Sequence, residues 1–309
     1  MKKQAIFLAS MAWVLMFAAA GQAPQDLPVE KDVVYGHTGG EDLKLDLVKA
    51  PASPVLVPAV ICVHGGAWQM GSKDSYDPII QQIAGHGYVA AAVEYRLAPK
   101  YKWPAQIEDV KCAVRYLRAH AKELNINPEK VAAIGDSAGG NLVLLLGLMD
   151  PKDGLEGDGG NPKESSRVQA VINYFGPTDL RTWAAEPQAA AAAEKALKTT
   201  PQAILEAFLG TSDRAAKVTA QASPITYVSA GDPPILTFHG TADPVVPFDQ
   251  AKLLEAALEK AGLKHTLVSM EGEGHGWTGI LLVDSMLKSF DFLDSVFKPV
   301  AAPTAKPAQ

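Results

Sequence analysis

The sequence Val131-Ala-Ala-Ile-Gly-Asp-Ser-Ala-Gly-Gly-Asn-Leu-Val-Leu-Leu-Leu-Gly-Leu-Met149 decides the fold of this chain. Its first four residues are typical of a buried strand, and its last nine of a short helix buried on all sides. A strand that turns through Gly-x-Ser-x-Gly into a helix is the nucleophile elbow. Strand and helix crowd together there, and Gly135 and Gly139 are small enough to allow it. The stretch therefore predicts that Ser137 stands at a helix N-terminus, where free N–H groups favour negative charge.

The composition is that of an ordinary globular protein. The chain has 309 residues, 48% hydrophobic and 20% charged, which suits one large α/β domain. The formal net charge is −6 and no basic run exists, so nucleic acid is not an expected partner. Cys62 and Cys112 fall in an apolar strand run and an amphipathic helix. These positions favour buried free thiols over a disulfide, and the spacing predicts no metal site.

The first residues have the pattern of a signal peptide. Lys2 and Lys3 precede an uncharged, apolar stretch that extends to Ala20, and residues 21–23 supply the small residues of a cleavage site. An uncleaved anchor helix is the alternative, although the run is short for a membrane span of ~20 residues. We predict a signal peptide over residues 1–23 and a periplasmic or secreted mature protein. No stable membrane association is expected after cleavage.

Beyond this segment, short apolar strands alternate with amphipathic helices. The alternation predicts a mostly parallel sheet with helices on both faces and an antiparallel entry hairpin. We interpret residues 24–30 as a linker, 31–298 as the α/β domain and 299–309 as a disordered tail. Residues 151–167 are rich in Gly, Asp, Pro and Ser and are predicted to be an exposed insertion. The block 178–228 interrupts the alternation of strands and helices, and we expect it to form a small cap and much of the pocket wall.

An acid and a base follow later strands of the predicted sheet. In such sheets, active groups gather at the carboxyl ends of the strands. Two of the seven histidines, His265 and His275, follow serine and acid in the order Ser…Asp…His, and of these only His275 lies in a loop after the last strand. Asp243, after the preceding strand, can hold one ring nitrogen of His275 and fix its tautomer. Asp179, after an earlier strand, is the competing acid.

A glycine-rich segment after the third strand supplies candidate oxyanion donors. His64-Gly65-Gly66-Ala67-Trp68 is similar to the HGGG-type motif of esterases and lipases. Backbone N–H groups of Gly65, Gly66 and Ala67 can point into the site and act with the N–H of Ala138. Which two of the first three donate is left open by the sequence.

Taken together, these motifs resemble an α/β-hydrolase serine esterase of the HGGxW/GDSAG group, close to the hormone-sensitive-lipase-like and BD-FAE-type esterases. The resemblance implies an α/β-hydrolase fold with a mostly parallel eight-stranded sheet, carboxylesterase activity and no cofactor. The Asp-Pro-Val-Val-Pro turn and the predicted export favour the BD-FAE side, whose members include acetyl and feruloyl esterases acting on plant polysaccharide. The matching segments follow one another in family order: His64–Trp68, Glu94–Pro99, Trp103–Asp109, Gly135–Gly139, His239–Pro247 and Gly274–Trp277.

The sequence thus predicts a serine ester hydrolase for short-chain acyl esters, either small molecules or linked to polysaccharide. Ser137 would form the acyl-enzyme, His275 would move the proton and Asp243 would orient His275. Trp68 and Trp277 are expected to contact substrate and, with Trp183, to narrow the acyl pocket. The alternatives are a peptidase or amidase of the prolyl-oligopeptidase type and a non-catalytic binding module. The complete set of roles argues against the binding module.

Overall fold

One twisted sheet organises the domain in the computed structural model, which describes residues 27–298. Its strands lie in the order β1-β2-β4-β3-β5-β6-β7-β8. Strand β2 is antiparallel to both of its neighbours, and all other pairs are parallel, which confirms the predicted architecture. The strands are β1 (Glu30–Thr38), β2 (Glu41–Val48), β3 (Val57–Val63), β4 (Val89–Val93), β5 (Ile126–Asp136), β6 (Ala170–Tyr174), β7 (Ile235–Gly240) and β8 (His265–Met270).

Helices cover both faces of this sheet. Helices α1 and α8 share one apolar core with it, and α2, α3 and α7 share the other. No helix within residues 27–298 is both long and apolar enough to span a membrane. The helices are α1 (Asp77–Gly85), α2 (Ala105–Ala119), α3 (Ala138–Leu148), α4 (Pro187–Leu197), α5 (Pro201–Leu209), α6 (Lys217–Gln221), α7 (Asp249–Lys260) and α8 (Gly279–Phe297). The predicted signal peptide (1–23) and tail (299–309) lie outside the described residues.

Strand β3 shows why its sequence is apolar without interruption. Successive strand residues point to opposite faces of a sheet. Ile61 and Val63 enter the core beneath α2 and α3, whereas Val60 and Cys62 enter the core beneath α1 and α8. Both sets are buried, so both alternating positions must be apolar. Cys112 lies in the core opposite to that of Cys62, and both thiols are free.

A buried charge cluster ties the entry hairpin to the turn before α1. The fully buried Asp46 of β2 accepts hydrogen bonds from the Nζ atoms of Lys31, at 2.5 Å, and Lys73, at 3.0 Å. Lys31 also contacts Asp74 and Asp77. Carboxylate oxygens of the three aspartates gather as closely as the ligands of a metal ion would. The ammonium group of Lys31 already lies among them, so the cluster is balanced by lysine charge.

The insertion at residues 151–167 is tied down more firmly than its composition predicts. The Glu156 carboxylate accepts hydrogen bonds from Lys111 Nζ at 2.9 Å and Arg115 Nη1 at 3.1 Å, and both basic side chains are buried. The Gly159 carbonyl accepts a hydrogen bond from the His37 N–H of β1. Most of the insertion is exposed or half-buried, as predicted, but these contacts hold it against α2 and β1. Loop composition signals turns but does not identify the partners of its polar groups.

The first prediction concerns the elbow. A Cβ at Gly139 would lie 2.0 Å from the Val63 carbonyl oxygen, so Gly139→Ala must force α3 and β3 apart. We expect the free energy of unfolding to fall by about 1–3 kcal/mol or more, as overpacked sites do. Gly85→Ala is the matched control at the end of α1, because no atom of the described residues beyond its chain neighbours and its own helix backbone lies within 4 Å of its Cβ position. Urea denaturation should show Gly85→Ala unchanged or slightly stabilised. Equal stability of the two variants would contradict the crowding argument.

Candidate active site

The nucleophile elbow holds Ser137 in strained backbone geometry. Its φ of 51° and ψ of −116° lie outside the regions that L-residues favour, and α3 begins at the next residue. The Ser137 N–H donates to the Tyr174 carbonyl at 2.8 Å, which fixes the turn against β6. A Cβ at Gly135 would lie 2.5 Å from the Gly139 carbonyl oxygen, so the flanking glycines are required sterically. The hydroxyl therefore stands at the carboxyl end of β5, as the sequence predicts.

The side chains of Ser137, His275 and Asp243 lie in one hydrogen-bonded row. His275 Nε2 is 2.9 Å from Ser137 Oγ, and His275 Nδ1 is 2.8 Å from Asp243 Oδ2. The acid follows β7 and the histidine follows β8, so all three residues meet at the carboxyl edge of the sheet. With Nδ1–H donating to the carboxylate, Nε2 is free to accept the serine proton. The structure thus brings the three predicted residues together.

Hydrogen bonds converge on the buried Asp243 carboxylate. Oδ1 accepts from the N–H groups of Val245 and Val246 at 2.8 and 2.9 Å. His239 Nε2 lies 3.5 Å from Oδ2 and 2.8 Å from the Val246 carbonyl oxygen. Burial alone would raise the pKa of Asp243, but the hydrogen bonds from His239, His275 and Val246 outweigh it and hold the pKa below the usual range. The acid is therefore ionised when His275 takes up a proton.

His239 is a contact that sequence reasoning missed. In the sequence, His239 stands out only as the residue before Gly240 at the end of a predicted strand. In the structure its ring is fully buried and lies beside Asp243, whose Oδ2 atom also contacts His275. The available signal was its spacing of four residues from the acid, in the His-Gly-Thr-Ala-Asp turn.

The competing acid is engaged elsewhere. Asp179 Oδ1 accepts a hydrogen bond from Arg181 Nε at 2.8 Å, and Oδ2 accepts one from Arg181 Nη2 at 2.9 Å. This fork-shaped pair uses both carboxylate oxygens. His275 contacts Asp243 and makes no hydrogen bond to Asp179 within the described residues.

The glycine-rich loop after β3 is held by the elbow itself. The Gly65 N–H donates to Asp136 Oδ1 at 2.9 Å, and the Tyr76 hydroxyl donates to the same oxygen. Gly65 is therefore occupied and is not a free oxyanion donor, which narrows the predicted set. The N–H groups of Gly66, Ala67 and Ala138 make no hydrogen bond within residues 27–298. Asp136 occupies a variable position of the Gly-x-Ser-x-Gly motif and holds the glycine-rich loop in place. The motif alone does not predict this contact.

A cavity of about 570 Å³ opens beside His275, a size suited to a small-molecule ligand. Trp277 lines it, as predicted, and its indole N–H donates to Ser285 Oγ at 3.1 Å. Neither Ser137 nor any residue of the block 178–228 lines this cavity, so the expectation that the block supplies much of the pocket wall stays a prediction. The larger wall residues are Tyr76, Ile79, Ile134, Asp136, Tyr174, Phe175, Glu273, Trp277, Leu282 and Met286.

The tryptophan of the glycine-rich motif lies in the core. Trp68 is 1% exposed, stacks on Phe208 with ring centroids 4.2 Å apart, and meets the edge of Trp183 at 6.2 Å. The Trp183 indole N–H donates to the Val245 carbonyl. Trp68 does not line the cavity, so we assign it no contact with substrate. Its packing instead anchors the block 178–228, and Trp183 belongs to the same core.

Sequence comparison places these features in a known family. A family model described as BD-FAE matches residues 45–258. The chain belongs to the BD-FAE family. Esterase LipC of Mycobacterium tuberculosis is 32% identical over 251 residues, which are 79% of this chain and 59% of LipC. The probable carboxylic ester hydrolase LipM of the same organism is 30% identical over 74% of this chain and 51% of LipM. This BD-FAE family member thus spans about half to three-fifths of these relatives.

Solved structures share the fold of this BD-FAE family member. A truncated carbohydrate esterase from gut microbiota superposes with a TM-score of 0.74 at 28% identity, covering 89% of this chain and 100% of that one. A thermophilic esterase from Thermogutta terrifontis superposes with a TM-score of 0.71 at 30% identity, covering 92% and 98%. These similarities confirm the predicted α/β-hydrolase fold and the resemblance to esterases.

The second prediction tests which acid acts on His275. Asp243→Asn should keep the packing but favour the wrong tautomer of His275, so ester turnover should fall on the order of 10⁴-fold. Asp179→Asn, the matched control, should cost far less, because Asp179 is paired with Arg181. The measurement is kcat/KM for an aryl ester with each purified variant. A reversed order of the two losses would move the acid to the loop after β6.

Proposed function

We propose that this protein is a serine carboxylic-ester hydrolase. The observation that carries the proposal is the continuous row Ser137 Oγ, His275 Nε2, His275 Nδ1 and Asp243 Oδ2, with separations of 2.9 and 2.8 Å across its two contacts. Such a row activates a hydroxyl for attack on an acyl carbonyl. The naming of LipC, LipM and the structural neighbours as esterases or ester hydrolases supports the same reaction class.

The proposed reaction has two halves. Ser137 attacks the ester carbonyl while His275 takes its proton, and Asp243 stabilises the imidazolium that forms. Two or more N–H groups from the set Gly66, Ala67 and Ala138 hold the negative oxygen of the tetrahedral intermediate, each contributing about 3 kcal/mol. His275 then protonates the leaving alcohol. Water, deprotonated by His275, hydrolyses the acyl-enzyme and releases the acid.

The proposed substrates are short-chain acyl esters, including acetyl or feruloyl groups linked to plant polysaccharide. Support comes from the named carbohydrate esterase and from structures of the Thermogutta terrifontis esterase with propionate and butyrate bound. We also propose export to the periplasm or the medium, on the N-terminal charge and hydrophobicity pattern. An exported enzyme can reach a polymer that does not enter the cell.

The third prediction tests the nucleophile. Ser137→Ala should leave the fold intact, because the change is small and both elbow glycines remain. Turnover should fall by several orders of magnitude, as for other serines of such rows. Ser75→Ala is the control, because Ser75 lines the cavity but its hydroxyl donates to the Ser72 carbonyl. Circular dichroism and p-nitrophenyl acetate hydrolysis would be compared. Retention of more than about a tenth of activity in Ser137→Ala would overturn the assignment.

The fourth prediction concerns acyl length. The cavity is finite, and the buried side chains of Ile134, Tyr174 and Met286 contribute to its wall. Each methylene left outside forfeits roughly 0.8 kcal/mol of burial. We expect kcat/KM to be highest for acetyl to butyryl esters and low beyond about ten carbons. A p-nitrophenyl series from C2 to C16, run beside acetylated xylan and methyl ferulate, measures this. A maximum at C10 or longer would contradict the short-chain proposal.

A further inference from the structure

The cavity beside His275 is unbalanced in charge. Among the described residues 27–298, two acidic ones, Asp136 and Glu273, line it, and no lysine or arginine does so. Its other titratable wall residues are His64, His275, Tyr76 and Tyr174. A charged binding cleft attracts substrates of the opposite charge and disfavours substrates of the same charge.

We propose that this cavity selects ester substrates by charge, accepting neutral and cationic groups and rejecting anionic ones, with Glu273 as the specificity-determining residue. The inference rests on the proposed ester hydrolase function and adds the substrate class. Substrates bearing a carboxylate or phosphate near the scissile bond are disfavoured. Esters whose group in the cavity carries hydroxyls or an ammonium are favoured.

The two acidic residues differ in how they are held. Asp136 Oδ1 accepts hydrogen bonds from Gly65 N–H and the Tyr76 hydroxyl, so this side chain is committed to positioning the loop. The Glu273 side chain has no hydrogen bond or ion pair with any residue in the described range 27–298. Within that range, no basic side chain is paired with its carboxylate, whose charge is available to act on a ligand.

The backbone at Glu273 is fixed close to the reacting groups. Its carbonyl accepts a hydrogen bond from the Ala242 N–H at 2.9 Å, one residue before the acid of the row. Glu273 precedes His275 by two residues in the same loop. A charge in this loop acts on a substrate group in the cavity that Glu273 and His275 both line.

Aromatic walls add a preference for cations. The rings of Phe175 and Trp277 meet edge to face at 5.4 Å, and Tyr174 lies beside Trp277 at 5.9 Å. All three line the cavity, and aromatic faces attract alkylammonium groups. A carboxylate beside aromatic faces suits a quaternary ammonium more than any anion.

Matched esters would test the proposal on both sides of the scissile bond. The alcohol-side set is methyl 4-acetoxybenzoate (neutral), 4-acetoxybenzoate (anion) and 4-acetoxyphenyltrimethylammonium (cation). The acyl-side pair is p-nitrophenyl pentanoate (neutral) and p-nitrophenyl hemisuccinate (anion). Each kcat/KM is divided by the hydroxide-catalysed rate constant of the same ester, which removes differences in chemical reactivity.

In the wild-type protein, we expect the corrected kcat/KM of the anionic ester to be about tenfold below that of its neutral partner in at least one set. A difference of this size is consistent with repulsion between like charges that solvent partly screens. Glu273→Gln should restore most of that ratio. Glu271→Gln is the matched control on the same loop, because the Glu271 side chain is exposed and lies outside the cavity. The anion-to-neutral ratio of this variant should equal that of the wild-type protein. Raising the salt concentration should also weaken the wild-type discrimination, which tests the charge without any variant.

Two results would be distinguishable failures. If both sets show the same ratio in the wild-type protein and in Glu273→Gln, with no salt dependence, charge selection is overturned while ester hydrolysis stands. If no neutral ester is hydrolysed in a Ser137-dependent manner, the proposed function itself fails.

Discussion

The structure depends on the contact between α3 and the end of β3, where there is no room for a side chain. The Gly139 position faces the Val63 carbonyl oxygen so closely that even a methyl group is excluded. This approach compresses the turn between β5 and α3, and the compression places Ser137 at a positive φ angle. The serine hydroxyl is therefore lifted out of the sheet towards His275. The strain is supported by packing, because α3 is buried along its whole length.

The elbow and the glycine-rich loop after β3 form one hydrogen-bonded unit. Asp136 immediately precedes Ser137, and its carboxylate receives the Gly65 N–H and the Tyr76 hydroxyl. A shift of the loop would therefore move the residue next to the nucleophile. On the other side, the Lys31–Asp46 cluster holds the turn that carries Tyr76. The geometry needed for the proposed acyl transfer is thus fixed through hydrogen bonds that extend from the sheet edge to the site.

The sequence predicted the parts of this protein that depend on local chemistry. Steric demands or periodicity within a few residues predict the elbow, the buried strands and the strands that the acid and the base follow. Trp68 and the block 178–228 could not be placed in the same way, because a tryptophan beside a glycine-rich loop suits a pocket wall and a core equally well. Gly65 likewise looks like a donor until its partner, Asp136, is known. These positions depend on contacts between distant segments, for which one sequence holds no periodic signal.

The position of the two cysteines has a consequence for the covalent structure of the molecule. Cys62 lies beneath α1 and α8, Cys112 lies on α2 across the sheet, and both thiols are buried. Burial also raises the pKa of both thiols, so little of the reactive thiolate forms. A bridge between them would have to pass through the sheet. The folded chain therefore has the same connectivity in reducing and oxidising surroundings, and its stability comes from packing and hydrogen bonds without a covalent crosslink.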